Sequence, residues 1–166
     1  MKNDMRITYP LWQMGFISIM MALVFLIGIS AKFEVYDDGG FMFTANLPFW
    51  HGVIVSVLLL SVFIVLALFI RKVVQHNKKF PTHKISLFTI KPQEYMDDDE
   101  LFQEVTRRAT QKVYSFFSIA LPAIAVFFMI LPVPRVWIIL GILSLSIAQY
   151  LIYFLTIRKY TKEDNE

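Results

Sequence analysis

Four apolar stretches set what this chain can fold into: Trp12 to Ala31, Trp50 or His51 to Ile70, Val113 to Leu131, and Val136 to Ile157. None contains an Asp, Glu, Lys, Arg or central His. Each is close to the roughly 20 residues that cross about 30 Å of hydrocarbon at 1.5 Å per residue. A buried helix of a water-soluble domain rarely runs so long without a charge, and the alternating pattern of a membrane barrel strand is missing. The expected fold class is therefore an all-α integral membrane protein with four transmembrane helices arranged as two helical hairpins. The first stretch ends in small residues, Gly28 and Ser30, at a spacing compatible with signal cleavage. Its apolar core is longer than the usual 7 to 15 residues, so a retained span is expected.

Composition narrows the functional classes. The 166 residues are 57% hydrophobic and 17% charged, against about a quarter charged in soluble domains. The sequence pI is near 9.1, but a net charge of +3 spread over so apolar a chain makes no phosphate-tracking face, so no nucleic acid is expected as a partner. There is no cysteine, which removes disulfides, thiolate metal sites and Cys nucleophiles.

Orientation follows from the basic residues. Lys2 and Arg6 precede the first span; Arg71, Lys72, Lys78, Lys79, Lys84, Lys91, Arg107, Arg108 and Lys112 fill the middle segment; Arg158, Lys159 and Lys162 follow the last span. Placing both tails and the middle segment in the cytoplasm puts 14 of the 16 basic residues inside, as the positive-inside rule requires. The expected organisation is a cytoplasmic tail (1–11), a first hairpin (12–70) with an outer loop (32–49), a cytoplasmic connector (71–112), a second hairpin (113–157) and a cytoplasmic tail (158–166). Trp12, Trp50 and Trp137 mark span ends at headgroup level. The expected location is a prokaryotic cytoplasmic membrane.

The two outer connections differ. Leu131-Pro132-Val133-Pro134-Arg135 is short and stiff enough to force a tight antiparallel hairpin. The longer loop places Asp38-Gly39-Gly40 between two aromatic-rich runs, which predicts a two-stranded ribbon.

The connector holds most of the polar chemistry. Its basic start, Arg71 to Lys84, is expected to lie as a flexible patch against anionic lipid. Ile85, Leu87, Phe88 and Ile90, between Pro81 and Pro92, form a short apolar run suited to extended structure, and hence to adding a strand to a partner's sheet. Asp97, Asp98, Asp99 and Glu100 read as the acidic start of the third helix, which then begins in the cytoplasm and enters the bilayer near Lys112. Glu104 can pair with Arg107 or Arg108 at helical spacing.

The same acidic cluster beside Arg107, Arg108 and Lys112 would suit a Mg-dependent lipid-head-group enzyme. Consecutive helical residues diverge by about 100°, however, and no second acidic cluster completes a coordination shell. His76 and His83 lie in the basic connector and His51 across the membrane, so no zinc site assembles, and neither metal nor cofactor is expected.

Within the spans the polar candidates are Gln149, Tyr150 and Tyr153, together with Ser118 before Pro122. Pro122 frees a carbonyl near Ser118, predicting a kink satisfied by a local hydroxyl. Spans without a charge count against proton-coupled transport, though a small oligomeric channel or carrier stays open as an alternative. Small residues four apart, Ser18 and Ala22, Gly52 and Ser56, Ser144 and Ala148, are the expected points of close helix approach. The function expected from these features is a non-enzymatic adaptor, assembly, immunity or regulatory subunit for another membrane protein, or a homo-oligomer; the enzyme and channel readings are the alternatives.

Overall fold

A computed structural model describes residues 5–35, 40–79 and 100–163. Four helices dominate: α1 (Met5–Ser30), α2 (Phe49–Lys79), α3 (Glu100–Ile130) and α4 (Arg135–Glu163), with strands β1 (Ala31–Val35) and β2 (Phe41–Ala45) between the first two. All four helices are long and apolar enough to cross a membrane.

The helices outrun the apolar stretches that seed them. The 31 residues of α2 extend about 46 Å, so its last turns, Arg71 to Lys79, project beyond hydrocarbon of about 30 Å. The 31 residues of α3 project likewise from Glu100 to Lys112. The expected first tail is helical from Met5, with Pro10 inside the helix. The expected flexible basic stretch is also helical as far as Lys79, because Lys, Arg and Gln are good helix formers and nothing between Ile70 and Lys79 interrupts the ladder.

α1 packs on α2 and on α4, and α4 packs on α3. The contact order is thus α2–α1–α4–α3, an open series with α2 and α3 as the outer members. Neighbours are antiparallel. Phe69 near the end of α2 meets Met5 at the start of α1; Ile157 near the end of α4 meets Val105 and Ala109 near the start of α3; Gly28 of α1 abuts Val136 of α4. The start of α1, the end of α2, the start of α3 and the end of α4 therefore share one end of the molecule.

That end also holds nearly all of the buried core. Met5, Phe69 and Val73 form one cluster, with Tyr9, Trp12 and Phe16 packed against it. Val105, Ala109 and Ile157 form a second, joined by Ile7, Tyr153 and Tyr160. The apolar spans, by contrast, are at most 6% buried within the protein. Solvent explains the division. Lipid tails are as apolar as Leu, so no hydrophobic force draws the helices together inside the bilayer. Where they leave it, each fully buried Ile, Phe or Val side chain gains about 1.5–3 kcal/mol.

β1 and β2 pair antiparallel from Ala31 with Ala45 to Val35 with Phe41, the ribbon that Asp38-Gly39-Gly40 predicts. A lone hairpin is marginal in water, and this one is held at its root. Asn46 N–H donates to the Ser30 carbonyl at 3.0 Å, and Ser30 Oγ lies 3.2 Å from His51 Nδ1, joining the end of α1 to the start of α2.

Candidate functional site

The end where the helices leave the apolar zone carries the polar side chains that the fold brings together. On α2, positions Val65, Lys72, His76 and Lys79 fall at helical intervals on one side; on α1, Met5, Thr8, Trp12 and Gly15 do the same. Together they line a groove of about 570 Å³ between the two helices. His76 is buried and is part of an ordered helix, which corrects its expected place in a flexible stretch. The Thr8 hydroxyl is turned back to its own helix, 3.5 Å from the Met5 carbonyl. Gly15 leaves the groove open, since a Cβ there would meet nothing within 4 Å. Trp12 stacks at an angle on Phe69, ring centroids 5.9 Å apart, and so forms a fixed wall.

A second polar cluster joins α3 to α4. Glu104 accepts from Arg107 at 2.6 Å and from Arg108 at 2.8 Å, so it engages both of its candidate partners at once. Arg108 also reaches Tyr160, its Nη1 donating to the phenolic oxygen at 3.4 Å and its guanidinium carbon 5.5 Å from the ring centroid. These groups are solvent-exposed, and exposed ion pairs add little stability. Their effect is to fix one side chain across the α3–α4 seam.

The intramembrane hydroxyls bond within their own helices. Ser18, Ser56, Ser115, Ser118, Ser144 and Ser146 each donate to the carbonyl one turn earlier, at 2.8 to 3.3 Å. Ser118 therefore serves Tyr114 at 3.0 Å, whereas the carbonyl that Pro122 frees is that of Ser118 itself; α3 continues as one helix through the proline. Gln149 and Tyr150 are half-buried on α4, and Tyr153 packs on the Val105–Ile157 cluster. These side chains do not converge with Ser118 on a single site.

Close helix approach occurs at glycines other than those the spacing suggested. A Cβ on Gly28 would collide with Val136 of α4, and one on Gly141 would lie 2.5 Å from Phe128 Cζ and 3.1 Å from Ile124 Cδ1 of α3. Ser18, Ser56 and Ser144 are exposed instead, and Gly52 faces open space.

Glu100 is the exposed first residue of α3, while Asp97, Asp98 and Asp99 lie outside the described residues, as do Ile85, Leu87, Phe88 and Ile90. Among the described residues no group of three or more His, Asp or Glu is placed to hold a metal ion.

No protein-family model, curated protein or solved structure matches the chain. Its chemistry must be read from its own geometry.

The groove and the Arg108–Tyr160 contact were both missed by sequence reasoning, although a signal for each exists. In an antiparallel hairpin with a short turn, residues equally distant from the turn face each other. Reflection about Pro132 and Val133 carries Arg108 to Ile157, one turn from Tyr160, and reflection about the centre of the ribbon register carries Met5 to Arg71, at the start of the α2 segment that lines the groove.

Proposed function

We propose that this is a small non-enzymatic polytopic protein of a prokaryotic cytoplasmic membrane, acting as an adaptor, assembly, immunity or regulatory subunit for another membrane protein. Both termini and the connector are cytoplasmic in this reading, in keeping with the distribution of Lys and Arg, and the projecting start of α3 stands in the cytoplasm.

The observation that carries the reading is the open order α2–α1–α4–α3. A closed four-helix bundle uses the inner face of every helix. Here the outer helices keep broad apolar faces toward the lipid, with Phe63 of α2 at 67% exposure and Ile119 of α3 at 75%. A laterally docking membrane protein gains from van der Waals packing on such faces. The connector supplies discrimination: basic at its start, apolar through Ile85 to Ile90 and acidic at Asp97 to Glu100, it offers charge complementarity for register and partner choice.

Serine hydroxyls that donate to their own helices have no proton left to offer a passing solute, and this favours the adaptor reading over a channel or carrier. Purification from native membranes in mild detergent tests it. The expected result is a second membrane protein at a fixed ratio; a chain that runs alone or only with copies of itself refutes the adaptor.

A further inference from the structure

The groove between α1 and α2 has the dimensions and chemistry of a lipid site. From Val65 to Lys79 it follows α2 for 14 residue steps, about 21 Å at 1.5 Å each. Its two ends differ. Leu11, Trp12 and Val65 are apolar, whereas Lys72 and Lys79 come after Ile70, where the uncharged run of α2 ends. In the four-span reading, with the hydrocarbon ending where the uncharged run of α2 ends, the boundary between the two halves is the boundary between hydrocarbon and headgroups. A ligand for this groove needs an apolar tail and an anionic head in the same molecule, presented at that depth.

We propose that the groove binds one anionic phospholipid, its phosphate between Lys72 and Lys79 and one acyl chain along Trp12, Gly15 and Val65. The two ammonium groups stand seven residues apart on one side of α2, on stems flexible enough to approach a single phosphate from above and below. Each Lys near an anionic surface already favours binding; the groove adds a fixed seat for the chain, because Gly15 presents no side chain toward it. A free phosphate would gain only the lysines. The proposal depends on the four spans and not on the adaptor reading, so either can fail alone.

Trp12 reports the test. In protein carrying Trp50→Phe and Trp137→Phe, reconstituted into phosphatidylcholine vesicles, Trp12 fluorescence is titrated with dibrominated phosphatidylglycerol or dibrominated phosphatidylcholine. The phosphatidylglycerol is expected to quench at about tenfold lower mole fraction. That preference should disappear in Lys72→Gln/Lys79→Gln and also in Gly15→Leu, which fills the groove without touching a packed neighbour, and should persist in Lys78→Gln, whose exposed side chain lies outside it. Equal quenching by the two lipids overturns the site. So does a Gly15→Leu protein that keeps the preference, or a Lys78→Gln protein that loses it, since either outcome reduces the effect to diffuse basic charge.

Discussion

Gly28 of α1 lies so close to Val136 of α4 that a methyl group on its Cα would stand 2.8 Å from Val136 Cγ1. Val is β-branched and stiff at χ1, so it has little room to yield. The contact pins the ends of α1 and α4 that lie opposite the buried core, beside the edge-to-face pair of Phe25 on α1 and Trp137 on α4 at 6.4 Å and the ribbon root at Ser30 and His51.

Gly28→Ala is accordingly expected to destabilise the protein by about 1–3 kcal/mol, the range for overpacking. Gly141→Ala should cost less, because the atom it meets first is the tip of the Phe128 ring. Gly15→Ala and Gly52→Ala face open space and should be neutral within about 1 kcal/mol. Thermal unfolding of the four variants in one detergent checks the order.

The spans were legible because the bilayer demands one thing, some twenty residues without a charge, and Trp12 to Ala31 or Val136 to Ile157 state it outright. The ribbon was legible from Asp38-Gly39-Gly40. Helix ends were not, since Arg71 to Lys79 looks like a solvated tract whether or not it is helical, and only its packing against Met5 and Trp12 shows that the helix continues. The close-approach points placed at Ser18, Gly52, Ser56 and Ser144 were misjudged for a different reason. A small residue permits contact without specifying which face of the helix meets a neighbour, and Ser18, Ser56 and Ser144 turned outward while single glycines took the crossings. Ile85 to Ile90 and Asp97 to Asp99 keep only their sequence-based reading.

Topology gives the next expectation. Cysteines introduced at Asn77 and Thr161 should be shielded from an impermeant thiol reagent in intact cells, and one at Gly40 should label. Labelling at Asn77 without permeabilisation reverses the proposed orientation.

Recognition by the connector predicts that Leu87→Asp with Phe88→Asp abolishes partner capture while membrane insertion, which depends on the four apolar spans, proceeds normally. A double variant that inserts and still captures every partner excludes this segment as the recognition surface.

An acidic cluster that only starts a helix tolerates amide replacement, since Asn caps as well as Asp. Asp97→Asn with Asp98→Asn should shift stability by about 1 kcal/mol or less and leave partner capture intact. Complete loss of function in a folded variant, restored by excess Mg²⁺, would favour the enzyme reading.

The adaptor account meets its most direct test in photo-crosslinking within native membranes, with benzoylphenylalanine replacing Phe63 on the outer face of α2 or Ile119 on that of α3. The account predicts a discrete adduct with a different membrane protein from at least one of these positions, at the stoichiometry found by copurification. Adducts with lipid alone, or only with a second copy of the chain, from both positions would contradict it.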